Sequence, residues 1–341
     1  MKIALDAMGG DYAPAETVNG AIEAVEALGV EAALVGDKDR IERELERARG
    51  EGRRVPPGLS VVHAPQVVPM DEHRPADALR KYRDSSVLLA TELVARGEAD
   101  AVVSAGNTGA AMAAGLLRLK RIEGVERPAI GTVYPTVTGS TFLIDAGANV
   151  DCRPHHILCF AVMGSAYAEK VLGVEEPRVA LLSIGEEEGK GDELVFAAHR
   201  LLKESNVNFI GNIEGKDIPL GSADVVVADG FVGNVVLKLS EGLGQAIFSM
   251  LKAGVEANLA AKIGALLMRP VLFNLKKKMD YAEYGGAPLL GVNGVAIIAH
   301  GRSNAKAIRN SIRAARDAVA NDIVGAIRSS LARHTRASHR G

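Results

Sequence analysis

The sequence predicts an α/β fold built around a mostly parallel, doubly wound β-sheet. Short apolar runs alternate with longer segments of helical periodicity along nearly all of the 341 residues, which is the pattern of strands joined by crossover helices. Aromatic residues make up only 4% of the chain, Trp is absent, and there are 37 Gly residues. This composition favours close packing of helices on a sheet over an aromatic-rich β architecture.

Short apolar segments mark the predicted strands. They are Ile3–Leu5, Ala32–Val35, Leu59–Val62, Asp100–Val103, Ala129–Tyr134, Ser140–Ile144, Arg178–Ile184, Val207–Gly211, Ala223–Ala228 and Val295–Ile298. A turn containing Pro and Gly separates the fifth and sixth strands, so we predict a hairpin there. Segment 63–75 contains three Pro residues and predicts an ordered loop or lid, and segment 280–293 predicts a loop rich in Gly and Pro.

Helices are predicted between these strands. They cover Glu16–Leu28, Asp39–Arg49, about Ala76–Arg96, Asn107–Leu119, about Pro154–Leu172, a stretch after Asp192, a long stretch from Asn234 to about Leu267, Val271–Met279 and Asn304–Leu331. We find no internal repeat and no low-complexity linker. Residues 1–333 are therefore predicted to form a single domain, with a helical extension over about 239–280 and a basic tail over 334–341.

Composition excludes several classes of protein. Cys152 and Cys159 form neither a disulfide framework nor a zinc set, so we expect a reducing cytosol and core packing for both thiols. No secretory signal is recognisable at the first residues, and no uncharged apolar run reaches the roughly 18–20 residues of a membrane span. The low aromatic content disfavours a surface that stacks nucleic-acid bases.

Five polar, glycine-bearing turns follow predicted strands. They are Asp6–Asp11, Ser104–Gly109, Asp145–Asn149, Gly185–Asp192 and Asp229–Asn234. Ligands bind beyond the carboxyl ends of the strands in doubly wound sheets, so we expect these turns to share one site. The turn Ser104–Gly109 also leads into a helix, whose first N–H groups suit a phosphate, although an ordinary capped helix explains the same pattern.

Familiar catalytic motifs are missing. Gly106–Gly109 is no dinucleotide fingerprint, and Gly185–Gly191 resembles a P-loop but is one residue too short and lacks the following Ser or Thr. There is no nucleophile elbow and no Cys/His metal spacing. What remains is Lys190 near the amides Asn107, Asn149, Asn212 and Asn234, an inventory that suits an oxyanion.

Lys190 also has an ordinary explanation, since it could pair with the acids Glu186–Glu188 on the surface. No nucleophile with an adjacent base is recognisable. The sequence therefore favours direct transfer between two bound substrates, without a covalent enzyme intermediate.

The segment 239–275 is apolar at three- and four-residue steps, and Lys276–Lys278 follow it. It predicts a core or dimer-interface helix, or an amphipathic hairpin that touches a membrane surface or forms an acyl-chain groove. The chain from Arg302 onward holds nine Lys or Arg residues against two acids. This basic segment is either a solvated helix face or a surface for an acidic partner.

Several motifs, in one order along the chain, carry a family resemblance. They are Ala4–Asp11, Ser104–Ala110, Asp145–Asn149, Lys190-Gly191 after the glutamates, Ala228–Asn234, Tyr284–Gly294 and His300-Gly301. Over nearly its whole length the sequence resembles the bacterial phosphate acyltransferases, which make acyl phosphate from acyl-acyl-carrier-protein for phospholipid synthesis.

This resemblance implies a three-layer α/β/α sandwich related to phosphotransacetylases and to the isocitrate-dehydrogenase-like fold. It implies a cytosolic homodimer that associates peripherally with the membrane and needs no metal or organic cofactor. Acyl carrier protein and inorganic phosphate would be the substrates. The product would pass to a membrane acyltransferase that acylates glycerol 3-phosphate, and no nucleic acid is expected as a partner.

The resemblance and the residues together give the expected site. Lys190 and Asn234 are the expected catalytic residues. Substrate binding is expected from Asp6, Gly9, Gly10, Ser104, Gly106, Asn107, Thr108, Gly109, Asn149, Gly191, Asp229 and His300. Two alternatives remain: a coenzyme-A-dependent phosphate acetyl- or butyryltransferase, and a noncatalytic scaffold for carrier protein or lipid. A dehydrogenase on the related fold is disfavoured because the dinucleotide fingerprint is missing.

Overall fold

The computed structural model describes residues 1–279 and 283–338, and its centre is one eleven-stranded sheet. The strands are β1 (Lys2–Asp6), β2 (Glu31–Gly36), β3 (Leu59–His63), β4 (Ala101–Ser104), β5 (Ala129–Pro135), β6 (Ser140–Ile144), β7 (Val179–Leu182), β8 (Phe209–Ile213), β9 (Val225–Val227), β10 (Ala287–Leu290) and β11 (Val295–Ile298). Their spatial order is β3-β2-β1-β4-β11-β10-β5-β6-β9-β7-β8.

The sheet reverses direction in its middle. Seven neighbouring pairs are parallel, and three, β11–β10, β10–β5 and β5–β6, are antiparallel. Strands β3, β2, β1, β4 and β11 consequently run one way, and β6, β9, β7 and β8 run the opposite way. The predicted β5–β6 hairpin and the mostly parallel sheet are confirmed, but the carboxyl ends of the two halves face opposite edges.

Helices cover both faces of this sheet. They are α1 (Ala15–Leu28), α2 (Lys38–Gly50), α3 (Pro75–Lys81), α4 (Ser86–Ala95), α5 (Thr108–Arg118), α6 (Pro154–Lys170), α7 (Glu193–Lys203), α8 (Gly230–Glu256), α9 (Leu259–Leu267), α10 (Arg269–Met279), α11 (Ala305–Ala320) and α12 (Ile323–Ser338). Helices α1, α2, α6, α7, α11 and α12 share one apolar core, and α3, α4 and α5 cover the other face.

Alternate residues of the strands feed these two cores. Ala101 and Val103 of β4 are buried in the first core, whereas Val102 between them is buried in the second. This period of two is what a strand buried on both faces requires. The start of α8 packs onto the second face through Val236 and Leu237, which completes a three-layer sandwich.

Three predicted helices are each divided in the structure. The one from Asn234 to about Leu267 forms α8 and α9, and Asn258 between them caps α9 by accepting from Ala261 N–H. The segment 76–96 forms α3 and α4, because Ser86 N–H donates to the carbonyl of Gln66 and the chain between the helices follows the loop instead. The segment 304–331 forms α11 and α12, which part at Asp322, a residue with φ of 45°. The Asp322 carboxylate then accepts from Gly325 N–H in the first turn of α12.

Strand β10 lies where we predicted only a loop. Ala287 and Pro288 pair with β11, and Leu289 and Leu290 pair with β5. Pro cannot donate a ladder hydrogen bond and Gly residues flank the segment, so the sequence masks this strand. It nevertheless joins the two halves of the sheet, and Asp280 of the predicted loop lies outside the described residues.

The far part of α8, with α9 and α10, forms a helical arm. Its large apolar side chains are exposed, among them Leu243, Ile247, Leu266, Leu267 and Phe273. Within the described residues, no helix is both long and apolar enough to span a bilayer. At the other terminus, α12 continues to Ser338, so part of the predicted basic tail is helical, and residues 339–341 lie outside the described chain.

Candidate active site

A first group of polar turns meets around the buried carboxylate of Asp6, at the carboxyl ends of β1 and β4. Its Oδ2 atom accepts a 2.7 Å hydrogen bond from the Ser104 hydroxyl, whose Oγ in turn accepts from Gly106 N–H. Gly9 lies so close that a Cβ there would be 2.5 Å from Asp6 Oδ2 and 2.7 Å from Gly106 N. Glycine at this position lets the two turns touch.

Burial raises the pKa of the Asp6 carboxyl, while hydrogen bonds from Ser86 and Ser104 oppose that shift. Asp6 is 2% exposed. Its position therefore suits holding the turns together, and the backbone around it is better placed to meet a ligand.

The loop after β11 joins the same group. Gly10, with φ of 108°, packs against the carbonyls of Gly301 and Ala105, and Asp11 N–H donates to Gly301 O at 2.8 Å. His300 stands exposed beside this contact. Burial lowers the pKa of His300, and the nearby charge of Lys238 lowers it further.

The predicted lid is fastened to the start of α5. Asn107 caps α5 by accepting from Ala110 N–H, and its Nδ2 donates to the carbonyls of Met70 and Glu72, each at 3.0 Å. The amide of Asn107 is therefore occupied by protein partners. The first-turn N–H groups of Thr108 and Gly109 have no acceptor within a helix, and groups of this kind suit an anion.

A second group of turns is built on Asp145, at the carboxyl end of β6. Its fully buried carboxylate accepts from the backbone N–H groups of Ile130, Gly147, Ala148 and Asn149 and from the side-chain amide of Asn149. Burial raises its pKa, and these bonds oppose the shift. The Asn149 amide also donates to Pro128 O, so it too serves to hold the turn.

Helix α8 begins directly on this second group. Gly230 N–H donates to Asn149 O at 2.7 Å, and a Cβ on Gly233 would overlap the carbonyl oxygen of Asp145. Asp229 caps the helix by accepting from the N–H groups of Phe231 and Val232. Asn234 follows on an exposed face of the helix. A Cβ added to Gly147 would lie about 3.5 Å from the Asn234 side chain.

The loop that carries Lys190 leaves the carboxyl end of β7, the neighbour of β9. Glu188 bonds to Lys203 Nζ at 3.0 Å, and within the described residues no ion pair includes Lys190. Lys190 therefore does not form the alternative surface ion pair with Glu186–Glu188. Gly191 takes φ of 115°, and Asp192 caps α7 by accepting from Val195 N–H.

The five turns follow strands of opposite direction, so the strand order places them in two groups and not at a single edge of the sheet. Asp6, Gly9, Gly10, Ser104, Gly106, Asn107, Thr108, Gly109 and His300 lie at the first group, and Asn149, Lys190, Gly191, Asp229 and Asn234 lie at the second. The antiparallel pairs in mid-sheet separate the two groups, and no pattern of strands and helices reveals such a reversal.

Helix α8 connects the two groups. Lys238 follows Asn234 by one turn on the same helical face, pairs with Glu241 at 2.8 Å, and acts electrostatically on His300 in the first group. Tyr134 of β5 bonds to Ser240 further along, at 2.8 Å. The sequence alone does not lead us to predict Lys238 as a neighbour of the site, although its spacing of four residues from Asn234 places both on one helical face.

Neither cysteine has the lowered pKa of an activated thiol. Burial raises the pKa of Cys152 to about 11 and that of Cys159 to about 12. Within the described residues, no set of His, Cys, Asp or Glu has the arrangement of a metal site. Among the described residues, the two groups of turns present helix-start N–H groups, the exposed amide of Asn234 and Lys190, which are the kinds of group that suit a negative charge.

Known proteins resemble this chain over nearly its whole length. A family model described as "Fatty acid synthesis protein" matches residues 1–325. Proteins named phosphate acyltransferase are 54% identical in Pelotomaculum thermopropionicum, over 97% of this chain and 95% of the relative, and 54% identical in Desulfitobacterium hafniense, over 99% of each.

Solved structures share the fold at low identity. A phosphotransacetylase from Streptococcus pyogenes has a TM-score of 0.63 at 17% identity, over 94% of each chain. A 4-hydroxythreonine-4-phosphate dehydrogenase from Klebsiella pneumoniae has a TM-score of 0.54 at 16% identity, over 94% of this chain and 99% of the other. These two likenesses establish the α/β architecture.

Proposed function

The chain belongs to the fatty acid synthesis protein family, and from this premise we propose that it transfers a long-chain fatty acyl group from acyl carrier protein to inorganic phosphate. The product is an acyl phosphate for phospholipid synthesis. The near full-length identity to phosphate acyltransferases supports the acyl transfer, and one structural observation supports its chemistry. Lys190 is exposed on the loop after β7, whose neighbour β9 leads into α8, while the neighbouring acid Glu188 pairs with Lys203.

The proposed reaction is a direct displacement. A phosphate oxygen attacks the thioester carbonyl, negative charge gathers on the carbonyl oxygen, and the carbon–sulfur bond then breaks to release the carrier thiolate. Phosphate dianion is itself a nucleophile, so no strong general base is needed. The raised pKa of Cys152 agrees with a path that avoids an acyl-cysteine.

We assign charge stabilisation to Lys190 and Asn234. The ammonium group neutralises phosphate or the oxyanion, and the exposed amide of Asn234 donates a hydrogen bond to the same charge. Gly191, Asp229 and Asn149 shape the backbone around them. The N–H groups of Thr108 and Gly109, with His300 near Lys238, form the part of the site that α8 reaches one turn after Asn234.

Removing one donor to a developing oxyanion typically lowers the rate by about 10²–10³. We therefore expect Lys190→Ala and Asn234→Ala each to lose acyl transfer by about that factor while keeping the fold. Lys216→Ala is the matched control, because Lys216 is exposed on the next loop and forms its ion pair with Glu214 of the same loop. Near-normal turnover in both site variants would refute the assignment.

The donor distinguishes this function from that of a coenzyme-A-dependent acyltransferase. Palmitoyl carrier protein and palmitoyl-coenzyme A, each with phosphate, are compared at equal concentration. We expect carrier protein to be preferred. Preference for coenzyme A would favour the alternative suggested by the fold, and no phosphate-dependent cleavage of either thioester would favour a scaffold.

The basic groups of α11 are mostly engaged within the chain. Lys306 pairs with Glu283, Arg309 pairs with Glu23, and Arg313 donates to Glu283 O. We therefore place electrostatic docking of the acidic carrier protein on Lys277 and Lys278, which are exposed on α10. The side chain of Lys276 lies outside the described residues. A Michaelis constant for the carrier that does not change with salt would contradict this docking.

We also propose that the protein is a homodimer and that its helical arm meets a membrane surface, where a glycerol-3-phosphate acyltransferase consumes the acyl phosphate. Leu266 and Leu267 are 66% and 79% exposed. Adjacent exposed leucines on amphipathic helices, followed by lysines, are the features of a helix that lies in a bilayer interface.

A further inference from the structure

The loop bearing Lys190 is held from below by a buried pair of polar side chains, His199 of α7 and Asn212 of β8. Both residues are 6% exposed. Their Nδ1 and Oδ1 atoms lie 2.9 Å apart, and Asn212 Nδ2 donates to the carbonyl of Glu187 at 3.0 Å. Both side chains are too deeply buried to bind a substrate directly.

The bonding fixes the orientation of both groups. The Glu187 carbonyl only accepts hydrogen bonds, so the amide nitrogen of Asn212 must face it and the amide oxygen must face His199. That oxygen also only accepts, so His199 must carry a proton on Nδ1. His199 is further restrained by Phe209, whose ring meets it edge-on with centroids 5.0 Å apart.

The carbonyl that Asn212 holds is the same one that closes the turn at Lys190. Lys190 N–H donates to Glu187 O at 3.0 Å, and Lys190 O accepts from the Ser183 hydroxyl at 3.1 Å. Hydrogen bonds therefore hold both the N–H and the carbonyl of Lys190. The turn that carries its side chain is also bonded to Asn212 through the Glu187 carbonyl.

We propose that His199 and Asn212 are positioning residues that hold the Lys190 ammonium where it meets phosphate. This inference rests on the proposed role of Lys190. Burying two polar side chains costs free energy unless each is hydrogen-bonded, and here the bonds run from helix α7 through the pair to the Lys190 turn. Loss of either member should let the turn shift without removing the ammonium itself.

The test is a set of Michaelis constants measured with palmitoyl carrier protein and phosphate. Asn212→Ala removes the bond to Glu187, and His199→Leu removes the donor to Asn212. We expect each to raise the Michaelis constant for phosphate about five- to tenfold, with less than a twofold change in that for the acyl donor. His199→Asn restores an N–H near the Nδ1 position, so it should recover most of the phosphate affinity.

Asn208→Ala is the matched control, because Asn208 also bonds a carbonyl, that of Glu176, beside the other end of β8. It should leave both constants unchanged. Equal shifts in both constants, a similar effect of Asn208→Ala, or no recovery in His199→Asn would overturn the inference. Lys190→Ala separates the two claims: if it loses transfer while Asn212→Ala keeps the parental phosphate constant, only the positioning role fails. If Lys190→Ala is unimpaired, the role of Lys190 and this inference both fail.

Discussion

Gly233 packs directly on the carbonyl oxygen of Asp145, and a Cβ at Gly233 would overlap that oxygen. This contact fixes the first turn of α8 against the Asp145–Asn149 turn. It also sets the position of Asn234, the next residue. A glycine that looks like a weak point in a helix is thus required for the geometry of the site.

Gly233→Ala should destabilise the fold and displace Asn234. Because the clash is with backbone, we expect a loss on the order of 2 kcal/mol in the free energy of unfolding and a fall in turnover. Urea denaturation and steady-state rates measure both. Gly242→Ala is the control on the same helix, where an added Cβ meets nothing within 4 Å. It should be neutral or stabilising by under about 1 kcal/mol, and equal behaviour of the two variants would contradict this packing.

The buried carboxyl of Asp6 should leave a signature in the pH dependence of stability. Burial raises the pKa of Asp6 in the folded state above its value in the unfolded chain. Between the unfolded-state pKa and the folded-state pKa, the folded state therefore binds more protons than the unfolded state. The stability that Asp6 contributes therefore falls as pH rises through this window. Asp6→Asn removes the titration.

The difference in free energy of unfolding between Asp6→Asn and the parent should shift in favour of the variant as pH rises above about 4. The substitution also adds a pH-independent difference, which does not affect this slope. Urea midpoints at several pH values between about 4 and 8 give the slope. A relative stability that is flat, or that falls with rising pH, would show that Asp6 is not a carboxyl with a raised pKa.

The thiols of Cys152 and Cys159 should react slowly with alkylating agents. With the pKa of Cys152 raised to about 11 and that of Cys159 to about 12, alkylation of the folded protein near pH 7.5 should be at least about a hundredfold slower than that of a free thiol. Cys152→Ala should keep turnover within about twofold. Rapid labelling of Cys152 by iodoacetamide, with parallel loss of activity, would point instead to a thiol intermediate.

The exposed leucines of α9 should govern membrane binding. Leu266→Glu with Leu267→Glu should reduce sedimentation with anionic phospholipid vesicles severalfold without unfolding the protein, because the apolar contact is lost. Lys262→Glu changes net charge by the same two units on an exposed position of α9 and should have the smaller effect. Unchanged partition of the double variant would remove the membrane proposal and leave the dimer mate as the partner of this face.

Much of the fold follows from the sequence alone. Ala101–Ser104 is buried on both faces of the sheet. A strand of this kind is a short, nearly continuous apolar run between turns, and such a run can be found from the sequence. The direction of the strands does not follow, because β10 pairs two residues with β11 and two with β5. No local pattern encodes that split pairing, and it decides which turns share an edge.

The sequence predicts candidate site residues by their type and does not predict their roles. Asn149, Asn107 and Asn212 were expected among the ligands of an oxyanion, yet their amides bond to backbone carbonyls. An amide in a polar turn has the same sequence signature whether it binds a ligand or fastens a loop. Only burial and hydrogen-bond partners distinguish it from Asn234, which is exposed.

The most direct test follows the phosphate itself. Palmitoyl carrier protein is mixed with radiolabelled inorganic phosphate and excess enzyme in a single turnover. We expect one equivalent of label in a hydroxylamine-sensitive acyl phosphate for each carrier thiol released, no acyl group on the enzyme, and a loss of about 10²–10³ in rate with Lys190→Ala. Thiol release without incorporation of phosphate, or an acyl-enzyme that forms before phosphate is added, would contradict direct transfer at this site.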